Sequence, residues 1–492
     1  MPDAAPATGF IAKFMVLRGA VRELWLIFGA KVLAILAYGV MNSTLVLWLS
    51  SDLGYSDIKA GSIVAAWSTV MTLATVLVGS LVDAIGLRKA FLLGIGLCLF
   101  SRGVMTFATV PWVALGCGLF LLAVGEALMT PVMVAAVRRY STTAQRSISF
   151  SLFYAMMNVG FGIGGWIFDF VRKGLGEYGH FTVPGLGVSL STYRTLFLVS
   201  FLLTLPNLLI FYFALRDGVE ATDEGVKIVT QKPKYTHESL GRALRLTVRD
   251  ALRDTIRIFT GLWRQPTFYK FLAFLALAVP VRLIFYHMHY TYPKFGIREL
   301  GAGAPIGRLW SINAILIVIL VPLVGVMTQR ISAYRMVVGG SLVSASSVFL
   351  MAVPPSWFQA LADGSLGDWI GHDWLGLTGP VHPYYVMILC YVVVLSLGEA
   401  LWSPRLYEYT AAVAPKGQEA SYMALSYLPF FVAKFFVGMF SGVLLATYCP
   451  PSGPRHSEML WLLIALATMI TPLGLVVLRR RIRVQEAGRA LE

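Results

Sequence analysis

Charge is in short supply in this chain. Only 13% of its 492 residues are Asp, Glu, Lys or Arg, about half the share usual in soluble domains, and that excludes a water-facing globular fold. Cysteine is scarcer still. The four present are Cys98, Cys117, Cys390 and Cys449; none has metal-ligand spacing, so they read as small apolar side chains. No cluster of His, Asp or Cys with reactive spacing appears, and there is no large soluble segment, which argues against a membrane enzyme or receptor, a bound cofactor and a metal centre. No cleavable leader is expected either. The first strongly apolar run, Leu24 to Leu49, is too long for one and lacks a small-residue cleavage site.

What the chain does have is apolar surface. Hydrophobic residues make up 57% of it and gather into about twelve runs of roughly 18 to 27 residues, each long enough to cross a hydrocarbon core. Lipid offers the backbone no hydrogen-bonding partners, so such runs must be helices. The expected fold class is an all-α membrane protein with twelve transmembrane helices. Most of the 40 Lys and Arg that give the chain its formal charge of +15 fall on one side, in short loops, a long central loop and both termini. By the positive-inside rule that side is cytoplasmic, so both termini are expected inside the cell (inner) membrane. The basic excess therefore reflects topology and lipid contact, with no nucleic-acid partner.

The chain also repeats itself. Gly125-Glu126-Ala127-Leu128-Met129-Thr130-Pro131 returns as Gly398-Glu399-Ala400-Leu401-Trp402-Ser403-Pro404, at an offset of 399 − 126 = 273. The same offset lays Gln145 on Gln418, Tyr154 on Tyr427 and Gly165 on Gly438. Earlier in each half, the Gly79 to Arg88 stretch matches a fainter copy from Gly325 at 325 − 79 = 246. The difference of 27 residues implies an insertion, and residues 354–380, rich in Pro, Gly, Asp and Trp, fit it as a small structured cap on the outer face. The expected layout is a tail over 1–20, a six-helix bundle over 21–216, a cytoplasmic linker over 217–266, a second six-helix bundle over 267–482 and a tail over 483–492. In the linker, Arg242, Arg245, Arg249, Arg253 and Arg257 recur at helical spacing opposite an apolar face, as in a helix lying on an anionic membrane surface.

Ionisable groups inside spans are costly and mark function or pairing. Lys31 falls early in helix 1, where it either snorkels or faces a cavity. Arg102 in helix 3 and Glu126 in helix 4 are candidates for a structural ion pair as well as for function. Helix 7 carries Arg282, then Tyr286, His287, His289, Tyr290 and Tyr292 at its outer end, a pattern that reads first as an aromatic interface belt. Helix 10 carries Glu399 and Trp402, with Ser403-Pro404 able to kink it. Helix 11 carries Lys434 too deep to snorkel, aligned by the repeat with Phe161. In helix 5, Asn158 is an amide able to bond across helices, and Gly160, Gly162, Gly164 and Gly165 permit close helix approach.

Two motifs carry a family resemblance. Gly79-Ser80-Leu81-Val82-Asp83-Ala84-Ile85-Gly86-Leu87-Arg88-Lys89 resembles the loop between helices 2 and 3 of the major facilitator superfamily, where acid and bases latch neighbouring helices on the cytoplasmic side. Gln329 stands in place of the acid in the second copy, which predicts a weaker second latch. Phe150-Ser151-Leu152-Phe153-Tyr154-Ala155-Met156-Met157-Asn158-Val159-Gly160, with the Glu399 to Pro404 stretch, is similar to the proton-dependent oligopeptide transporters within that superfamily. The likeness to them is partial. The Glu-x-x-Glu-Arg pattern they place in helix 1 is absent around Lys31 to Tyr38, and Thr130 stands where they have a lysine.

The resemblance implies two pseudo-symmetric bundles working by alternating access, with helices 1, 4, 7 and 10 lining one vestibule that holds Lys31, Glu126, Arg282 and Glu399. Such a set suits a small solute bearing both charges, since carboxylates hold an ammonium and Lys or Arg a carboxylate. The expected substrate contacts are Glu399, Lys31, Arg282, Tyr154, Asn158, Tyr427, Lys434 and Trp402. Glu126 and Glu399 are expected to couple a proton gradient, and Gly79, Asp83, Gly86 and Arg88 to form the gating loop. The expected function is proton-coupled symport of a peptide-like or amino-acid-like solute by a monomer. The alternative is a proton-coupled antiporter exporting cationic drugs or metabolites, because the helix 5 glycines are loosely similar to an antiporter motif that has lost its proline.

Overall fold

The computed structural model describes residues 16–228, 265–328, 331–413 and 428–484, with isolated positions between 242 and 260. Twelve long helices run through them. They are α1 (Arg22–Ser51), α2 (Asp57–Ile85), α3 (Leu87–Phe107), α4 (Pro111–Arg139), α5 (Thr143–Leu175), α6 (Thr192–Ala214), α7 (Pro266–Tyr290), α8 (Ile306–Met327), α9 (Ala333–Ala352), α10 (Pro383–Val413), α11 (Leu428–Tyr448) and α12 (Ser457–Val477). At about 1.5 Å per residue, 21 residues cover roughly 30 Å. The chain is a multi-pass, all-α membrane protein, as composition required.

Proline interrupts the interiors of six of these helices, at Pro131, Pro206, Pro280, Pro322, Pro404 and Pro472. Each removes a backbone donor. At Pro280 the neighbouring backbone is compensated: the Val281 amide donates to the Thr471 hydroxyl of α12 at 2.9 Å. Two small hairpins lie outside the spans. In one, β1 (His180–Thr182) pairs antiparallel with β2 (Ser189–Ser191), and in the other β3 (Val219–Thr222) pairs with β4 (Gly225–Ile228). The inserted stretch after α9 folds as short helical turns, Pro355–Phe358, Gln359–Ala362, Ser365–Asp368 and Trp369–Trp374. Linker positions Arg242, Arg245, Arg249 and Arg253 are helical, as are Val248 and Ile256 of the apolar face; Arg257, with Gln329, Gln418 and Tyr427, lies outside the described residues.

The chain forms two compact units. One comprises Met1–Gly39, Val70–Gly160 and Phe197–Asp254; the other comprises Val40–Thr69, Phe161–Leu196 and Thr255–Glu492. The division runs through α1, α2, α5 and α6, so one end of each of those helices belongs with all of α7 to α12.

Inside each unit the repeat becomes geometry. In the first, α3 packs on α4, and a methyl group placed on Gly125 would lie 2.8 Å from the Cys98 sulfur. In the second, α9 packs on α10, and a methyl on Gly398 would lie 2.5 Å from the Ser344 backbone nitrogen. The partners obey the two offsets: 344 − 98 = 246 and 398 − 125 = 273.

Candidate functional site

In the first unit the charges are paired around α4. Arg102 of α3 donates through Nη2 to Glu126 Oε1 at 2.5 Å and through Nη1 to the Thr204 hydroxyl of α6 at 2.6 Å. Thr204 in turn donates to the Ser200 carbonyl at 2.8 Å. Lys31 of α1 is only 2% exposed. Its ammonium does not snorkel to water but lies 4.5 Å from the centroid of the Phe153 ring on α5, within electrostatic reach of Glu126. Tyr154 is half-buried on α5, and the Asn158 amide donates to the Tyr154 carbonyl at 3.1 Å. That bond stays within the helix, which is the local competition with the backbone that short polar side chains offer. A turn on, Gly160 lets α5 approach α1, since a methyl there would meet Ile35 and the Val32 carbonyl at 2.9 Å.

The signature loop also lies in this unit. Gly86 takes φ +85°, a left-handed turn open to glycine, and begins α3. Arg88 donates to the Phe211 and Tyr212 carbonyls, at 3.2 and 2.5 Å, placing a cation on the carboxyl-terminal carbonyls of α6. Gly79 and Asp83 are helical residues of α2.

In the second unit, α10 gathers a carboxylate and a guanidinium within one turn. Glu399 is 7% exposed and accepts from the Asn313 amide of α8 at 3.0 Å; the same nitrogen lies 3.0 Å from the Ser396 hydroxyl. Three residues along, the Trp402 indole donates to Ser344 at 3.1 Å. Its ring takes the Arg282 guanidinium at 4.2 Å. Stacking on an aromatic face stabilises a buried cation by about 2 kcal/mol where it is desolvated. Lys434 of α11 is held likewise, 3.9 Å from the centroid of Trp67 on α2.

The aromatic carboxyl-terminal end of α7 and the turn after it do not form an interface belt. Tyr290 and Tyr292 are buried, and their hydroxyls donate to Asn42 Oδ1 at 3.2 Å and to the Ile306 carbonyl at 3.1 Å. His287 shares a 2.7 Å hydrogen bond with Thr291. A helix end that turns inward can satisfy its phenols on protein instead of at the headgroups. A cleft of about 610 Å³ between α7, α11 and α12 is lined almost wholly by apolar side chains and holds none of the charged candidates. Several of its lining residues, Phe436, Phe440 and Leu463 among them, are exposed, as suits a hydrocarbon-facing groove.

Three partners were not legible in composition: Thr204, Trp67 and Asn313. The repeat does relate two of them, because 313 − 67 = 246. Trp67 seats the α11 lysine, and its counterpart Asn313 holds the α10 glutamate. Among the described residues no group of His, Cys, Asp and Glu is arranged to hold a metal.

Comparison with known proteins bears on the whole chain. A family model described as Major Facilitator Superfamily matches residues 27–367. No curated protein matches the chain in sequence. Solved structures do. A POT family transporter in complex with 5-aminolevulinic acid superposes with a TM-score of 0.67 at 16% identity, over 94% of this chain and 97% of that one. A structure of proton dependent oligopeptide transporters, solved for substrate recognition, gives 0.62 at 18% over 93% and 99%. A peptide transporter POT in complex with sulfate gives 0.65 at 16% over 96% and 98%. At these identities the likeness is one of fold.

Proposed function

Because the chain belongs to the Major Facilitator Superfamily, and so is a transporter and not an enzyme, we propose that it moves a small zwitterionic solute, peptide-like or amino-acid-like, by proton-coupled symport. The observation that carries the substrate class is the α10 cluster. Glu399, held by Asn313, offers a carboxylate for an ammonium group, and Arg282, seated on the Trp402 ring one turn away, offers a guanidinium for a carboxylate. Both are buried, so each charge acts with less solvent screening than it would at a surface. Lys434 on Trp67 is a second cation for the acid end of the solute. Lys31, Tyr154 and Asn158 are proposed as further substrate contacts, and so is Tyr427. The fold neighbours support this class, one being in complex with 5-aminolevulinic acid.

Glu126 and Glu399 are the proposed coupling carboxylates, Glu126 foremost. A proton on Glu126 weakens its pair with Arg102, changes the field at Lys31, and so alters which arrangement of helices is favoured. Gly79, Asp83, Gly86 and Arg88 form the proposed gating loop on the cytoplasmic side. The protein is proposed to sit in the cell (inner) membrane with both termini inside and to work as a monomer, driven by the proton gradient alone.

The test is uptake into liposomes. An outside-acid pH gradient should drive accumulation of a dipeptide or amino acid first identified by a thermal-shift screen of amino acids, small peptides, organic acids and amines. Export of cationic compounds by expressing cells, with no zwitterion bound, would favour the antiporter instead.

A further inference from the structure

The repeat-related glycines Gly165 and Gly438 take part in two helix contacts of the second unit, which lie at the outer end in the proposed orientation. α5 meets α8 at Gly165 and Gly307, where a methyl group on either has no room before the other's carbonyl oxygen. α2 meets α11 as tightly: a methyl on Gly61 has no room before the Gly438 carbonyl oxygen, and one on Gly438 none before the Ala65 backbone. The pairs are counterparts, since 307 − 61 = 246 and 438 − 165 = 273. One turn on, the symmetry breaks. Gly442 packs on the Asp57 carbonyl at the start of α2, whereas its counterpart across the repeat, 442 − 273 = 169, is an aspartate.

Asp169 is 4% exposed and closes the amino end of α8 from another helix. Its Oδ1 accepts from the Gly307 amide at 3.1 Å and its Oδ2 from the Arg308 amide at 2.6 Å. A carboxylate there satisfies orphan donors and lies at the positive end of the helix dipole. Among the described residues, arginines, a glutamate and tyrosines from several elements surround it. Arg172 of its own helix lies at 3.2 Å and also donates to the Ala304 carbonyl. Glu177 in the following loop takes the closer contact with that guanidinium, together with the Tyr193 hydroxyl of α6 and the Gly303 amide. Arg308 of α8, Tyr292 after α7 and Tyr385 of α10 complete the surroundings.

The other contact has an acid too, Asp57, but two cations compensate it: Lys294 at 2.7 Å and Arg298 at 2.8 Å. Asp169 shares one arginine with Glu177. The other cation near Asp169, Arg308, belongs to the helix whose amino end Asp169 caps. Solvent is close, because Lys173 and Gly174, one turn along α5, are exposed.

We propose that Asp169 is a proton site of the transport cycle, whose protonation from outside releases the amino end of α8 and opens the contact between α5 and α8. The proton comes from the outer water and binds a carboxylate oxygen; the neutral acid loses its attraction for Arg172 and the α8 dipole and can no longer accept both amides as an anion does. Loss of the proton restores them. This rests on the reading that the protein is proton-driven, and adds a site that Glu126 does not supply.

The experiment is a spin-label distance measurement on reconstituted full-length protein, with labels at Lys173→Cys and Ala302→Cys after the four native cysteines are changed to alanine. Lowering the pH from about 8 to about 5, through the range where a buried carboxylate titrates, should raise a longer-distance population to more than half in the otherwise unaltered chain. Asp169→Asn should show that population already at pH 8 and cease to respond. Asp169→Glu, which keeps the charge, should still respond, guarding against a merely misfolded variant. A distance that ignores pH, or an Asp169→Asn variant that responds normally, overturns the proposal. If Glu126→Gln alone abolishes the response, the proton acts at Glu126; if the distance responds but no pH gradient drives uptake, the coupling reading fails and the Asp169 site stands.

Discussion

The Lys434 ammonium and the Trp67 ring form a buried pair, 3.9 Å from nitrogen to centroid, with Lys434 1% exposed and Trp67 fully covered. A lysine kept only for structure would be a poor choice here, because an apolar side chain of similar volume fills such a site without desolvating a charge. Lys434→Met should therefore leave the unfolding temperature unchanged or raise it. It should also weaken binding of a carboxylate-bearing solute at least tenfold, which is about 1.4 kcal/mol. Calorimetric titration beside a thermal melt separates the two effects, and a variant that melts early yet binds normally would make the lysine structural.

Glu126 serves two masters, the 2.5 Å pair with Arg102 and the field at Lys31. Glu126→Gln keeps a polar group in hydrogen-bonding range of Arg102, so folding should survive. Gradient-driven accumulation should be lost while counterflow exchange of substrate persists. Arg102→Leu, by contrast, removes the ion-pair partner of a half-buried carboxylate, a change that costs up to about 3–5 kcal/mol, and should lower expression and melting temperature. Full accumulation by Glu126→Gln would remove the proton from this residue.

Glu399→Gln should abolish binding of solutes with a free amino group, since the amide has no net charge to offer. Asn313→Ala leaves the charge and removes its 3.0 Å partner, so the loss should be graded, about 1.5–3 kcal/mol for a hydrogen bond to a charged group. Affinity measured for an amine-bearing solute and its N-acetylated form settles the point. Equal losses for both would show that Glu399 does not read the amino group.

The candidate charges could be found in the sequence because charge within a span is rare and expensive, so Glu126, Arg282, Glu399 and Lys434 stood out singly. Their partners could not. Trp67, Asn313 and Thr204 are ordinary in an apolar or mildly polar run, and only three-dimensional packing gives them a role. Tyr290 and Tyr292 read as a belt in sequence for a related reason: an aromatic residue at a helix end can face headgroups or turn into protein, and local sequence does not distinguish the two. The glycine contacts were half visible. The offset that aligned Gly165 with Gly438 carried into geometry, but nothing one-dimensional said that each would face a glycine of another helix, or that Asp169 would reach the α8 amides.

Acid should loosen the loop after α5. Burial raises the Glu177 carboxyl, yet the Arg172 guanidinium, the Tyr193 hydroxyl and the Gly303 amide outweigh it and hold the group below the ordinary Glu range. A lowered folded-state value gives stability that is fully present above the unfolded value and lost as pH falls through the folded one. The melting temperature should thus drop as pH is taken below about 4, where an ordinary glutamate titrates. Glu177→Gln should melt lower at neutral pH and show a flatter acid limb, whereas an unchanged acid limb would assign that loss of stability to other carboxylates.

Space at the α5–α8 and α2–α11 contacts grades three glycines. A methyl on Gly165 has no room before the Gly307 carbonyl, and one on Gly61 none before the Gly438 carbonyl. Backbone cannot be moved aside as a flexible side chain can, so the helices themselves must part. Gly162 faces the same helix, α8, but a methyl there would meet the Ala314 side chain at 3.4 Å, an ordinary contact. Gly165→Ala and Gly61→Ala should therefore hold the outer contact ajar and slow transport at least tenfold with substrate binding from outside retained, while Gly162→Ala transports at close to the normal rate. Uptake assays on the three variants, run beside the spin-label distance across α5 and α8, decide the matter: if Gly165→Ala leaves that distance and the rate untouched, the glycine pair is not part of the gate.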